Sequence, residues 1–443
     1  MIADAFRRLK SSSYWRDIVW LASGNAIAQA IGVAAMPVLT RLYSPADFAL
    51  QNLFLQVTGF AVVLLTWRYE YFVQLPKEDI DAARLLGLVL CVGMVGCTIA
   101  TPLIWIFKDL LTNWMGVTTL KTWLVFVPVT AALISFSIAI QHFTQRRGQY
   151  RHSSLSELAN KGSYVGTALA GYWILPGPAG LIMSTAASAI GKIIWLSPQW
   201  KYGLGIERQC FSFFKRQNPK KLESIRRIAS TYLRLSCSMV ISHLLLCCTA
   251  TIPSLFIARV YGSESLGQFA LVASTIYLPS GLIGNAIAQV YYQRAAERWS
   301  AGKSFCDLWR TTAKQLIFVG VPLYTILVFI SPWVYPFLFG TLWVDAGRYA
   351  SVMAISAFFS FATSPLDRGC LVVDAWWYVL GWHIGRALTT GLVALLAWIY
   401  CWDVFLFIIA LVLQMSLMYV IDYWVNWRFA SLQSANSMSF TQD

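Results

Sequence analysis

Long stretches with almost no charge recur along this chain, and they leave few ways to fold it. The stretch 84–107, for example, carries no charged residue after Arg84. In hydrocarbon no water is available to the backbone, so each N–H and C=O must be satisfied within the segment, and a helix does this. About 20 apolar residues wound as a helix cross a bilayer core of about 30 Å. With 58% hydrophobic and only 12% charged residues among 443, the chain also has too little polar surface to cover a soluble globule. The expected fold class is therefore all-α and integral to a membrane.

Read at that length, the chain offers about twelve transmembrane helices: 17–40, 46–67, 84–107, 121–145, 153–175 and 178–198, then 230–256, 265–290, 313–338, 347–370, 376–400 and 402–425. They form two groups of six. Most breaks are short and hold turn residues such as Pro176-Gly177-Pro178. The longest, 199–229, holds eight Lys or Arg against Glu207 and Glu223. The expected organisation is an N-terminal six-helix lobe over 1–198 and a basic cytoplasmic linker over 199–229. A C-terminal lobe follows, with spans 7–10 over 230–370 and spans 11 and 12 plus a cytoplasmic tail over 371–443.

Lys and Arg on alternate sides of these spans divide 26 to 5, with the N-terminus, the breaks at 68–84, 146–161, 199–229 and 291–314, Arg368 and Arg428 on the richer side. The positive-inside rule puts that side, and with it both termini, in the cytoplasm. The net charge of +14 then records topology and argues against a nucleic-acid partner. The first span follows a basic N-terminus, but it is long for a signal peptide and eleven more spans follow, so it reads as a retained helix. The nine cysteines show neither a disulfide framework nor zinc spacing. No metal and no cofactor is expected.

The hexapeptide GNAIAQ occurs twice, at Gly24–Gln29 in span 1 and Gly284–Gln289 in span 8. These spans run in opposite directions, so a half-to-half repeat does not superpose the two copies. A better repeat aligns "TRLYSPADFAL" after span 1 with "ARVYGSESLGQFAL" after span 7, matching Arg41 to Arg259 and Phe48 to Phe269. That is a parallel six-plus-six duplication, giving two pseudo-symmetric lobes. Asn25 and Gln29, four apart, share a helix face beside small residues; they serve either interhelical hydrogen bonding or the lining of a wet cavity.

Charges inside the spans are few and pointed. Arg386 lies ten residues into span 11, about 15 Å deep, where an arginine costs about 2.5–3.5 kcal/mol and must face water, substrate or a carboxylate. His383 shares its face, and His243 lies near the middle of span 7; each is a cavity candidate or a hydrogen-bonded packing residue. Lys192 and Arg234 lie near the inner ends of spans 6 and 7, where they either reach headgroups or form the inner mouth of a passage. Arg68 and Glu70 sit at the inner end of span 2, as a charged cap or as a site for a coupling proton.

"RLYSPADFAL" after the first span, "RYEYFVQLPKEDIDAARLL" after the second and "FGTLWVDAG" after the ninth resemble the landmarks of Wzx-type O-antigen flippases. These belong to the polysaccharide branch of the multidrug/oligosaccharidyl-lipid/polysaccharide exporter superfamily. The resemblance runs over nearly the whole chain, with Ala49 standing where the family usually has Gly. It implies a protein of the bacterial inner membrane that turns undecaprenyl-diphosphate-linked oligosaccharide repeat units, as for the O-antigen of lipopolysaccharide, from the cytoplasmic to the periplasmic leaflet. A polysaccharide polymerase and a chain-length regulator are the protein partners it implies. Similarity to the lipid II flippase branch further implies that Arg41 and Arg259 line the passage; the alternative is a helix-end arginine reaching the outer headgroups. Arg386, Lys192, Arg234, Asn25 and Gln29 complete the expected substrate contacts. Arg68, Glu70, His243 and His383 are the coupling or cavity candidates, with the ion, proton or Na⁺, left open.

Rival functions remain. A multidrug antiporter would share the plan but needs carboxylates inside its spans, where this sequence reads as richer in basic groups. A membrane-embedded polymerase would be an enzyme and would need a long outer catalytic loop, whereas the outer breaks are short. A scaffold gives no reason for a cation at mid-depth.

Overall fold

The computed structural model describes residues 13–76, 78–175, 177–202 and 219–432, with the backbone alone for 13–22 and 219–226. The first basic residues, the basic segment at 203–218 and the tail after 432 lie outside the described residues. Among the described residues the chain is all-helical, without a strand. The first half runs α1 (Ser13–Leu42), α2 (Pro45–Thr66), α3 (Asp79–Met115), α4 (Val127–Arg146), α5 (Tyr150–Ile174) and α6 (Ala179–Trp195). The second runs α7 (Pro219–Val260), α8 (Gly262–Ser300), α9 (Cys306–Phe339), α10 (Val344–Thr363), α11 (Trp376–Ile399) and α12 (Val404–Ser431). Helix α8 is broken by one π-helical turn at Ser280–Gly284.

Nine of these helices are long and apolar enough to cross a membrane; α6 is apolar but shorter. The chain is a multi-pass membrane protein. Helices α5 and α10 fall outside that set, and α5 does so because Arg151, Glu157, Asn160 and Lys161 dilute its apolar residues.

Local chemistry sets several boundaries. At the start of α2, Asp47 Oδ2 accepts from the Ser44 backbone N–H (2.9 Å) and hydroxyl (2.8 Å), while the Asp47 N–H bonds back to Ser44 Oγ (3.3 Å). This reciprocal cap uses donors that the helix start leaves open. Asp403 caps α12 through the Phe405 N–H at 3.2 Å. Helix α3 stops at Gly116, whose φ of 73° suits a residue without Cβ and lets its N–H reach the Thr112 and Asn113 carbonyls. Helix α10 stops at Thr363, two residues before Pro365, and not at 370 as the apolar run suggests, because proline disfavours helix in the residue before it. A turn and the short helix Gly369–Val372 follow. The basic segment expected as a linker is helical from Pro219, where α7 begins.

The chain divides into two compact units, residues 1–43 with 50–247, and residues 44–49 with 248–443. In the first, α5 packs against α1 and α6. The α5–α6 contact is so close that a Cβ on Gly171 would lie 2.4 Å from Gly180 Cα, so small residues are what allow it. A second cluster joins Tyr69, Phe72 and Val73 of the 3₁₀ turn after α2 to Leu85 and Leu86 of α3 and Phe143 of α4. In the second unit, α9 and α12 pack on α10, and α11 pairs with α12.

Candidate functional site

Helices α11 and α12 form an antiparallel pair joined by a short turn, and contacts step in opposite directions along it: Thr389 with Gln414, Arg386 with Met415, Tyr378 with Asp422. This register brings Arg386, ten residues past Trp376, to the side of α12. Its Nη2 lies 3.7 Å from Met415 Sδ and its guanidinium carbon 5.8 Å from the Tyr419 ring centre. Its Nε is buried without a hydrogen-bond partner, and among the described residues no carboxylate forms an ion pair with it.

Arg386 lines a cavity of about 230 Å³ together with Tyr378, Trp382, His383, Asp367 and Asp422. Ligand pockets run from about 300 Å³ upward, so this space is smaller than a whole ligand pocket. Asp422 is 4% exposed and its Oδ1 accepts from the Tyr378 hydroxyl (2.7 Å) and Asn426 Nδ2 (2.9 Å). Asp367, half-exposed in the turn after Pro365, has Oδ1 3.8 Å from Arg368 Nε. The Tyr378 and Trp382 rings stack at 6.3 Å and 29°. The arrangement offers a guanidinium for an anion, a carboxylate and phenol for hydroxyls, and flat rings for a sugar face.

The first unit carries a different kind of polar network. Arg68 and Glu70 pair at 3.2 Å, and the Thr66 hydroxyl donates to the other Glu70 oxygen at 2.7 Å. Glu70 is fully buried, and burial raises its carboxyl above the ordinary range against the opposing pull of Thr66 and Arg68. The Arg68 guanidinium stands 5.3 Å from the Tyr71 ring, which also contacts His142 at 5.3 Å and His243 at 5.8 Å. His243 Nδ1 is 2.9 Å from the Met239 carbonyl. Gln74 Nε2 lies 2.6 Å from His142 Nδ1 and donates to Gln145 Oε1 at 2.7 Å. Gln145 and Gln141 both donate to Ser153 Oγ, and Gln141 also donates to Glu157 Oε1 at 2.7 Å. Lys192 ends the chain, donating to the same Glu157 oxygen at 2.8 Å.

Lys192, 6% exposed, is held by a carboxylate inside the unit. Arg41 and Arg259 are exposed in the last turns of α1 and α7. Two residues on, the Tyr43 hydroxyl donates to the Ala168 carbonyl (2.7 Å) and that of Tyr261 to the Trp402 carbonyl (2.9 Å). Arg259 does not line the Arg386 cavity. Arg234 is exposed on α7. In the first GNAIAQ copy Gly24 and Ala28 are buried while Asn25 is exposed and Gln29 half-buried. The second copy repeats this, burying Gly284 and Ala288 and exposing Asn285 and Gln289. The amides of Asn25 and Gln29 make no hydrogen bond among the described residues, so the small residues alone do the packing.

A family profile described as "Polysaccharide biosynthesis protein" matches residues 38–348. The chain belongs to this polysaccharide biosynthesis protein family. No curated protein matches it in sequence. Among solved structures, the lipid II flippase MurJ in an inward closed conformation is similar over 93% of this chain and 87% of its own, at 13% identity and TM-score 0.68. An inward-facing multidrug resistance MATE family transporter of the MOP superfamily matches over 95% and 96%, at 12% identity and TM-score 0.64. A MOP superfamily transporter from Pyrococcus furiosus matches over 96% and 97%, at 14% identity and TM-score 0.62. At these identities the likeness establishes the fold, that of MOP superfamily transporters and flippases.

Sequence reasoning about this family member passed over Asp367, Tyr378 and Asp422. The available signal was a lone Asp422 within an apolar run, with Asn426 one turn on. The expectation that basic groups prevail inside the spans also meets Glu157 and Asp422, each hydrogen-bonded within its own unit.

Proposed function

We propose that this protein is a Wzx-type flippase carrying undecaprenyl-diphosphate-linked oligosaccharide repeat units, for O-antigen or another surface polysaccharide, from the cytoplasmic to the periplasmic leaflet of a bacterial inner membrane by alternating access. Family membership and the fold support a lipid-linked saccharide as cargo. The observation that carries the reading is Arg386, a guanidinium in the interior of α11 that forms no ion pair among the described residues and opens on a cavity it shares with Asp367 and Asp422. Burying a sugar hydroxyl without a partner costs roughly 1–3 kcal/mol, so an unaided repeat unit does not cross. A wet groove with Arg386 for phosphate and Asp422, Tyr378 and Trp382 for the glycan lowers that barrier. Both termini lie in the cytoplasm in this reading, six spans form each lobe, and Arg41 and Arg259 meet the head group at the outer ends.

An inside-negative potential drives an anion outward by about 2.3 kcal/mol per charge per 100 mV. Should an ion also couple, Glu70, His243 and His383 are the groups for it. The carboxylates Asp367 and Asp422 beside Arg386 favour one second reading, a cation-coupled multidrug antiporter. Surface display of repeat units in cells carrying Arg386→Ala separates the two. The flippase reading expects display to stop while protein level and insertion hold. Unchanged display together with lost drug efflux would establish the antiporter instead.

A further inference from the structure

Helix α5 carries a polar face inside a bundle of apolar helices. Ser153, Glu157, Asn160, Lys161 and Tyr164 recur at three- and four-residue steps and so share that face. Four of the five are satisfied by the protein. Ser153 accepts from Gln145 (3.0 Å), Glu157 from Lys192 (2.8 Å), Asn160 donates to the Ser188 carbonyl (3.1 Å), and the Tyr164 hydroxyl accepts from Gln51 (2.6 Å).

Lys161 is the exception. Its stem lies across Gly32 of α1, where an added Cβ would meet Lys161 Cδ at 3.7 Å, and its ammonium stands 5.8 Å from the Tyr164 ring centre. Among the described residues it has no hydrogen bond and no ion pair. Glu157, one turn away, is taken by Lys192, so the three charges leave one positive charge over, and that charge is on Lys161. Its position is eleven residues past Tyr150, about 16 Å along the helix. Lys161 is half-buried, so part of the residue remains exposed.

An ammonium on the polar face of a membrane-protein helix, with neither a hydrogen bond nor an ion pair, calls for an anionic or water-borne partner. We propose that Lys161 is the first unit's contact for the phosphate of an isoprenoid-linked diphosphate, with Glu157, one turn away, already engaged by Lys192. The proposal rests on the flippase reading and adds a binding residue to it. Lysine suits a passing phosphate because its ammonium is a mobile point charge with three donors and does not demand one geometry.

The test uses the full-length protein in phosphatidylcholine nanodiscs, with farnesyl diphosphate binding followed by tryptophan fluorescence and the unfolding temperature measured alongside. Loss of one charge-assisted contact predicts that Lys161→Gln raises Kd about tenfold to a hundredfold, while Lys161→Arg stays near wild type and both variants keep the unfolding temperature. Farnesol should bind all three forms alike. Wild-type affinity in Lys161→Gln would overturn the role of Lys161 and leave the flippase reading standing. A wild-type protein that binds no farnesyl diphosphate would sink both. Equal weakening in the Gln and Arg variants with a lowered unfolding temperature would mean a packing role. An identical Kd rise for inorganic pyrophosphate or for phosphatidylglycerol would replace the isoprenoid diphosphate by a free or a phospholipid phosphate, and so overturn the ligand named here.

Discussion

Lys192 in the first unit and Arg386 in the second are both cations sunk among apolar helices, and composition alone gives them the same meaning. Their surroundings differ. Lys192 is 6% exposed and joined to Glu157 at 2.8 Å, at the end of a chain of amide and hydroxyl hydrogen bonds. Arg386 has a thioether and a ring for neighbours, an unsatisfied Nε and a cavity beside it. A cation already paired holds helices together; one left unpaired stays available to an anion that comes and goes. The Glu157–Lys192 link ties α5 to α6, and the Arg386 cavity lies along α11 and α12.

The largest expected effects break this contrast directly. Arg386→Ala should reduce transport of lipid-linked saccharide in proteoliposomes by about a hundredfold or more, since a lost bidentate charge-assisted contact is worth roughly 3 kcal/mol, with unfolding temperature unchanged. Lys192→Met should do the reverse, lowering stability by about 1–3 kcal/mol, since Glu157, partly exposed and still bonded to Gln141, loses its charge partner. Adding Glu157→Gln to Lys192→Met should return much of that loss. A Lys192→Met protein that is fully stable but inactive would erase the distinction between the two cations.

Why the sequence separated these cases so poorly is a matter of which forces act locally. Most long helices were legible because hydrocarbon forces long apolar runs. Helix ends were not, since α7 and α12 extend beyond the apolar runs at 230–256 and 402–425, the backbone ladder going on through polar residues. Lys161 falls both within the 153–175 span and among the basic residues of the 146–161 break, because Ser, Glu and Asn lower the local hydropathy without interrupting α5. Pairing is the least legible property of all. Glu157 meets Lys192 across 35 positions and Asp422 meets Tyr378 across 44, distances over which no pattern of spacing reports contact.

A smaller effect concerns Glu70, whose burial favours the neutral acid. A carboxyl raised in the folded state contributes stability that is complete below its unfolded pKa of about 4.3 and is lost as pH rises through the folded value. Unfolding temperatures of wild type and Glu70→Gln measured from pH 4 to pH 8 should therefore diverge upward, the glutamine variant gaining on wild type as pH increases. Parallel curves would mean that Arg68 and Thr66 fully offset the burial, and the site would then hold a fixed charge unsuited to carrying a coupling proton.

The finest comparison uses the repeat itself. Tyr43 and Tyr261 follow the matched arginines by two residues, and each hydroxyl donates to a main-chain carbonyl in its own unit. Removing either hydroxyl should cost about 0.5–1.5 kcal/mol. The surroundings set the order. Tyr43 is 2% exposed and its acceptor belongs to Ala168, which is fully buried, so water cannot take the place of the lost donor. Tyr261 and Trp402 are only half-buried, so water can. Tyr43→Phe should therefore lower the unfolding temperature more than Tyr261→Phe, even though the two bonds differ by only 0.2 Å in length. Equal or reversed losses would mean that hydrogen-bond length, and not access to water, decides how firmly each half fixes the end of its first helix.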